Sequence, residues 1–184
     1  RMHSPIQSDP NVVAIYDQAF EMSLESVVGR ETCLVGLGCG SGEKDARFLR
    51  KLKTACAGIR YVPCDGSPAM TLTARKATAD ELPVDRIHPL VCDLANSGDL
   101  NQVLDHMTPV RDQHIFTFFG MIPNIEPGII LPKLRDMMQG DDLLLLSANM
   151  VPGVHYDKEI EAILPQYDNP ETRDWLLSFL VGLG

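Results

Sequence analysis

Short apolar runs alternate with segments of helical periodicity along most of this chain. The runs predict five β-strands, one ending just before Gly38 and the others at residues 59–63, 88–92, 115–119 and 142–147. Apolar residues at helical spacing predict helices over residues 11 to about 28, from residue 46 onward, and over 67 to about 78, 97 to about 107 and 126–139. Apolar strands that alternate with helices are typical of a parallel sheet covered on both faces. The pattern therefore predicts an α/β fold with a mostly parallel central sheet.

Two of these helices have an apolar face that can be read from the spacing. In the first helix the face is expected to carry Val12, Ile15, Ala19, Met22 and Ser26. In the helix that follows the first strand, it is expected to carry Ala46, Leu49, Leu52 and Cys56, and to pack on the sheet.

The C-terminal part predicts no further strand. Its pattern predicts a short helix over 157–163, a polar loop over 164–170 and another helix over 171–180. We interpret residues 1–184 as a single domain, in which residues 1–30 are a helical lead-in and 150–184 a partial helical segment. Because Arg1 precedes Met2 and the chain ends in VGLG, we expect a fragment of a longer protein or a short member of its family.

Composition and charge narrow the classes of function. The 184 residues are 45% hydrophobic and 22% charged, as in an ordinary globular domain. A net charge of −9 disfavours nucleic-acid binding, which depends on basic surfaces, and favours a small-molecule substrate. Since there is neither a membrane-length apolar run nor a signal-peptide pattern, we expect a cytoplasmic protein. The five cysteines show no metal or disulfide spacing and are expected to be reduced.

A glycine-rich turn follows the first predicted strand, in the sequence LVGLGCGSGEKD at residues 34–45. Its glycines allow a sharp turn, a close approach of a ligand to the main chain, and free amide N–H groups at the start of a helix. A dinucleotide-binding G-x-G-x-x-G loop would need glycine at position 43, where Glu43 would repel a pyrophosphate. A phosphate-binding loop would need a hydroxyl after Lys44, where Asp45 stands.

The remaining form, G-x-G-x-G, resembles the turn that binds S-adenosylmethionine (SAM). On this interpretation the cofactor-binding residues of the turn are Gly38, Cys39, Gly40, Gly42 and Lys44. SAM is accordingly the predicted cofactor, and no metal site is predicted.

Acidic residues at the next two strand ends suit an adenosyl group, because ligands of open parallel sheets lie across the carboxyl ends of the strands. Asp65, followed by Gly66, can accept hydrogen bonds from the ribose hydroxyls, or else it caps the helix that begins near Ser67. Asp93 can accept from the adenine amino group while Leu94 flanks the ring; its alternative role is also a helix cap.

The fourth predicted strand ends in the sequence FFGMIPN. Gly120 is expected to allow close approach of the cofactor, and Asn124 to orient the amine or carboxylate of the substrate. Phe118 and Met121 are more simply explained as core residues.

Four segments together are similar to one family. LVGLGCGSGEKD, YVPCDGS, FFGMIPNIEP and GDDLLLLSANMVPG resemble, in order and spacing, the histidine-specific SAM-dependent methyltransferases, over residues from about 33 to 180. The resemblance implies a class I methyltransferase fold, SAM on the glycine turn, Asp65 on the ribose, Asp93 near the adenine and Asn124 on an amino-acid substrate. Tyr167, before Asp168, stands about where the family has a tyrosine that also holds the substrate.

Two positions depart from the pattern that the resemblance implies. The class usually has an acidic residue two positions before the first glycine, where this chain has Gly36. A hydrogen bond to the cofactor's amino group or to the loop is therefore expected to be missing. In addition, Pro123 precedes Asn124 where the family usually has glycine, and proline fixes φ and lacks an N–H donor.

Methyl transfer from a sulfonium depends mostly on positioning, so no catalytic triad is required. Tyr167 is the candidate for holding the proton of an amine nucleophile. These features predict a SAM-dependent N-methyltransferase of a small amino-acid-like substrate, with histidine as a candidate. The alternatives are a non-catalytic SAM-binding domain or fragment without the substrate lobe, and an NAD-dependent oxidoreductase. An uncovered strand edge would favour a homodimer.

Overall fold

The structure is a computed structural model, and it describes residues 9–108, 113–148, 156–170, 173–174 and 177. The chain divides into two compact units, residues 19–148 and residues 1–18 with 149–184, each of which is described by itself. The interpretation of the whole chain as one domain stays a prediction.

Residues 19–148 contain a five-stranded sheet in which every neighbouring pair is parallel. The strands are β1 (Glu31–Leu37), β2 (Gly58–Asp65), β3 (Leu90–Val91), β4 (Gln113–Phe119) and β5 (Leu143–Ser147), in the order β3-β2-β1-β4-β5. The order reverses at β1, whose neighbours β2 and β4 continue in opposite directions along the sheet. In open parallel sheets this reversal opens a crevice at the carboxyl ends of the strands, where ligands bind.

Helices precede, separate and follow the strands along the chain, and those between the strands cover the sheet. They are α1 (Pro10–Leu24), α2 (Glu43–Leu52), α3 (Pro68–Ala77), α4 (Leu100–Met107), α5 (Pro127–Met137) and α6 (Tyr156–Tyr167). On one face, Cys33, Val35 and Leu37 of β1 pack in a single cluster with residues of α4 and α5. The alternate residues Leu34 and Tyr61 are fully buried on the other face, where α2 and α3 follow β1 and β2. The predicted α/β fold with a parallel sheet is therefore confirmed.

The predicted apolar face of the first helix was wrong. The structure buries Phe20, Ser23 and Val27, whereas Met22 is 71% exposed. Phe20 decides the face because its ring stacks on that of Phe48 in α2, with centroids 4.4 Å apart. Ser23 can be buried beside it because its hydroxyl donates to the Phe20 carbonyl at 2.6 Å.

Two further expectations on the helices fail. Cys56 lies outside α2, which ends at Leu52 where the Thr54 hydroxyl donates to the Lys51 carbonyl. Residues 164–167 are helical rather than part of a loop, because α6 continues past Pro165 as far as Tyr167. The following N–H, of Asp168, still reaches the Leu164 carbonyl at 2.7 Å, so the missing N–H of Pro165 does not end the helix.

In the described ranges no helix combines the length and the apolar character that crossing a membrane requires. Among the same residues, β5 is hydrogen-bonded to β4 alone and forms one edge of the sheet. The homodimer that an uncovered edge favours stays a prediction.

Candidate functional site

The glycine turn joins β1 to α2 and has a backbone that few other residues could adopt. The φ angles of Gly38, Gly40 and Gly42 are 69°, 53° and 76°, all in the left-handed region. The N–H groups of Gly38 and Cys39 both donate to the Cys64 carbonyl, at 2.8 and 3.0 Å. The turn is thereby fixed to the end of the neighbouring strand β2.

The three glycines have different surroundings. A Cβ on Gly42 would lie 2.6 Å from the Cα of Ala74, because α3 packs directly against the turn. A Cβ on Gly38 would lie 2.7 Å from the Cγ of Met121, which follows β4. A Cβ on Gly40 would meet nothing within 4 Å. The main chain is therefore open to a ligand at Gly40, whereas Gly42 is required by helix packing.

Asp65 ends β2 and reaches back to the turn. Its Oδ2 accepts from the Gly40 N–H at 3.1 Å, and its Oδ1 accepts from the Ser67 N–H at 2.9 Å, just before α3. The capping role considered from the sequence is not what the structure shows, because Ser67 is the N-cap residue of α3 and the helix has no side-chain cap hydrogen bond. Each carboxylate oxygen of Asp65 still has a lone pair for a further donor. Gly66 leaves room beside it, since a Cβ there would approach only the Cys92 carbonyl, at 3.9 Å.

Asp93 and Leu94 follow β3 at the same edge of the sheet. Asp93 is exposed, and its Oδ1 accepts from the Ala95 N–H at 3.0 Å while its Oδ2 accepts from the Asn96 side chain at 2.7 Å. The Asn96 hydrogen bond, followed by the Ala95 N–H, lowers the pKa of this carboxyl. Leu94 is buried in the core cluster, and its carbonyl accepts from the ammonium of Lys133 in α5 at 3.2 Å.

The segment after β4 completes this edge. Gly120 has a φ of 70°, and its N–H donates to both the carbonyl and the hydroxyl of Ser147 at 3.1 Å. Asn124 is exposed at the end of a short 3₁₀ turn, with its Nδ2 3.8 Å from the Met121 sulfur. Lys44, in the first turn of α2, places its ammonium 5.7 Å from the centre of the Phe119 ring. All the predicted cofactor residues thus lie at or next to the carboxyl ends of β1 to β4.

Tyr167 is not part of this unit. It is the last residue of α6, in the unit formed by residues 1–18 and 149–184, and its side chain lies outside the described part of the structure. Its predicted roles on the substrate stay predictions.

A buried carboxylate below the turn was missed from the sequence. Asp45, in the first turn of α2, is only 3% exposed, and it accepts from the Tyr61 hydroxyl at 2.7 Å and the Thr117 hydroxyl at 2.9 Å. Burial raises the pKa of this carboxyl to about 6, although the two hydroxyl donors and Lys44 act in the opposite direction. The departure at Gly36 was the signal that could have drawn attention to it, because a Cβ on Gly36 would lie 2.3 Å from the Asp45 Oδ2.

One cavity of residues 19–148 lies away from the predicted cofactor residues. A space of about 410 Å³ opens at the amino ends of the strands, and its lining includes Arg30, Gln113, His114, Asp141 and Asp142. These polar groups are already engaged with one another: Gln113 accepts from Arg30 and donates to the Asp141 carbonyl, and Asp142 accepts from the His114 N–H. This cavity therefore does not coincide with the predicted cofactor site. Within the described ranges no three His, Cys, Asp or Glu residues are grouped as metal ligands.

The strand order and the glycine turn define the class of the protein, a Rossmann-like domain of the class I methyltransferase type. A family model described as histidine-specific methyltransferase, SAM-dependent, matches residues 14–180. As this is most of the 184 residues, the chain belongs to that family. The predicted resemblance is confirmed, and at the level of the family so is the predicted cofactor.

Solved structures share the fold at low sequence identity. A SAM-dependent methyltransferase from Geobacter sulfurreducens, in complex with S-adenosyl-L-homocysteine (SAH), is 18% identical with a TM-score of 0.50, over 84% of this chain and 55% of that one. A protein of Methanococcus maripaludis, described as a candidate SAM-dependent methyltransferase, is 16% identical with a TM-score of 0.52, over 89% and 68%. A candidate exported protein of Bordetella parapertussis is 16% identical with a TM-score of 0.54, over 92% and 54%.

This chain thus spans little more than half the length of the Geobacter and Bordetella structures. A comparison with curated proteins returned no match.

The second and third glycines of the turn, Gly40 and Gly42, allow a matched test of its packing. Gly42→Ala should destabilise the fold by more than Gly40→Ala, although both residues have a positive φ. The left-handed conformation costs either alanine roughly 1–2 kcal/mol, and only residue 42 adds a collision with the backbone of α3. Urea unfolding of both variants measures the difference, and equal losses would contradict the packing role of Gly42.

Asp45 should make stability depend on pH. Its folded pKa of about 6 lies above the ordinary value of 3.8, so the native state binds the proton more tightly than the unfolded chain. The stabilising contribution is fully present below about pH 4 and is lost as pH rises through about 6, a change of order 3 kcal/mol. The stability of the wild type minus that of Asp45→Asn, from urea unfolding, should fall between pH 4 and 7. A difference independent of pH would refute the raised pKa.

Proposed function

We propose that this chain binds SAM at the glycine turn and transfers its methyl group to the amine of a small amino-acid-like substrate, with histidine as the first candidate. The observation that carries the proposal is the open backbone at Gly40, whose N–H is held by the carboxylate of Asp65. A ligand can therefore approach the main chain at Gly40.

Asp65 suits the ribose because a carboxylate is a strong acceptor for two neighbouring hydroxyls. Its existing bonds to the Gly40 and Ser67 N–H groups fix its orientation before a ligand arrives. Preorganisation of this kind lowers the entropy cost of binding. Asp93, whose carboxylate is oriented by Asn96, offers an acceptor for the adenine amino group, whereas the Leu94 side chain is buried in the core cluster.

When bound, SAM supplies an electrophilic methyl group on a positively charged sulfur. As the new N–C bond forms, the C–S bond breaks with its electron pair returning to sulfur, and the amine gives up its proton. The protein's task is to hold the amine in line and to accept that proton. We assign Asn124 to the amino or carboxylate group of the substrate and Tyr167 to the substrate and its proton.

The family description supports histidine as the methyl acceptor. The alternative is a SAM-binding domain without its own catalysis. An NAD-dependent oxidoreductase is disfavoured by Glu43, which stands where a dinucleotide-binding loop needs glycine.

Binding of SAH tests the site directly. At a concentration one hundred times its dissociation constant, SAH should stabilise the folded chain by about 2.7 kcal/mol. Asp65→Ala should weaken binding at least about tenfold, since hydrogen bonds to charged groups contribute about 1.5–3 kcal/mol. Calorimetry measures the affinity, and Asp85→Ala serves as the control, because Asp85 is an exposed carboxylate outside the predicted site.

The variant Asp65→Asn tests the contacts to the ribose separately from those to the main chain. Its carboxamide oxygen can still accept from the Gly40 or Ser67 N–H group, although the negative charge is gone. Asp65→Ala and Asp85→Ala variants with equal affinity for SAH would refute the assignment of Asp65. Binding of NAD in place of SAH would refute the proposed cofactor site as a whole.

Transfer of labelled methyl groups tests the activity. We expect incorporation into histidine, or into another amine of a panel of amino acids, when the chain is supplied with labelled SAM. Binding of SAH with no labelling of any amine would instead support the non-catalytic alternative.

A further inference from the structure

A carboxylate from α2 occupies the space that a side chain at position 36 would fill. Gly36 lies in β1, two residues before the turn, and a Cβ there would be 2.3 Å from the Asp45 Oδ2 and 3.2 Å from the Cys39 Cβ. The first distance is far below any real contact, so residue 36 can be only glycine while Asp45 keeps its position. Asp45 is therefore packed between the strand and the underside of the turn.

Hydrogen bonds from both neighbours of β1 hold this carboxylate. Tyr61 on β2 donates to one oxygen and Thr117 on β4 to the other, so that Asp45 bridges the central strand. In register, Gly36 is paired with Thr117, which leaves the carboxylate directly over the glycine. The position of α2 relative to β1, β2 and β4 is thus fixed at the point where the turn begins.

The charge of Asp45 acts on the turn itself. It is the second cause, after burial, that raises the pKa of the Cys39 thiol, so its field reaches a residue between the glycines. Tyr61, Lys44, Asp65 and Cys64 are the other ionisable groups that interact electrostatically with Asp45 or with Cys39. Because burial raises its pKa, the ionised carboxylate of Asp45 lowers the stability of the fold at neutral pH. A residue that served only to pack α2 on the sheet would not need a carboxylate with this cost.

We propose that Asp45 is a positioning residue for the cofactor site, whose carboxylate, wedged between Gly36 and Cys39 and held by Tyr61 and Thr117, keeps the glycine turn in its ligand-binding conformation. Asp45 belongs to α2, and it thereby gives the turn the support that an acidic side chain at position 36 of β1 would give. The proposal rests on the proposed binding of SAM at this turn, and it adds a residue that touches no ligand itself.

A double-mutant cycle between positions 36 and 45 tests the proposal, with the affinity for SAH measured by calorimetry. Gly36→Ala alone should displace Asp45 and weaken SAH binding by about tenfold or more, as residues in contact are strongly coupled. Asp45→Ala should weaken it similarly. In the Asp45→Ala background, Gly36→Ala should cost little more, because the two side chains no longer compete for one space.

Relocation of the acid distinguishes positioning from mere packing. Gly36→Asp combined with Asp45→Ala returns a carboxylate to the same space from the strand, and SAH affinity should recover to within about threefold of the wild type, a difference of less than 1 kcal/mol. Asp45→Asn serves in place of Asp45→Ala if the latter does not fold, since it keeps the volume and one acceptor. Urea unfolding of every variant without ligand shows which losses of affinity are losses of folded protein.

The outcomes are separable. If the wild type does not bind SAH, the proposed function fails and this proposal with it. If the wild type binds SAH and both Asp45→Ala and Asp45→Asn bind it equally well, only the positioning role is refuted. If those variants lose affinity but the relocated carboxylate fails to restore it while folding normally, support of the turn by a carboxylate in this space is likewise refuted.

Discussion

The left-handed backbone of the turn after β1 is the constraint on which the rest of residues 19–148 depends. Gly38, Gly40 and Gly42 reverse the chain within a few residues, and the amides of the turn then reach the Cys64 carbonyl and the Asp65 carboxylate at the end of β2. Because the same turn starts α2 and admits α3 beside Gly42, it sets the two helices against the sheet. The predicted cofactor site, at the carboxyl ends of the strands, therefore lies where the turn joins the sheet to these helices.

The polar groups at this edge are arranged around main-chain positions rather than around a cavity. Asp65, Asp93 and Lys133 all bond to loop amides or carbonyls after β1, β2 or β3, so that each loop has a defined shape before a ligand binds. The cavity at the amino ends of the strands is lined by polar groups that bond to one another. In an open parallel sheet, the direction of the strands therefore indicates the ligand edge better than cavity volume does.

The carboxylate of Asp45 lies beside Gly36 of β1, although Asp45 itself belongs to α2. An acidic residue is missing from β1 at position 36, and the structure has a carboxylate in the same space, supplied nine residues later by α2. The hydrogen bonds of this carboxylate go to Tyr61 and Thr117, on the two strands beside β1. Support of the turn from this position is the role proposed above for Asp45, and it is compatible with membership of the family.

The sequence alone determined the features that depend on local chemistry. Apolar runs predicted the five strands, their alternation with helices predicted the parallel sheet, and the glycine spacing with Glu43 disfavoured the pyrophosphate cofactors. Only the tertiary structure decided which face of α1 is buried. The spacing of apolar residues is compatible with more than one buried face, and the stacking of Phe20 on Phe48 selects the one that carries Phe20. The tertiary structure also decided the place of Asp45, since a contact between residues 36 and 45 arises only when α2 packs across β1. Such contacts depend on how elements meet in space, and no local pattern of residues contains that information.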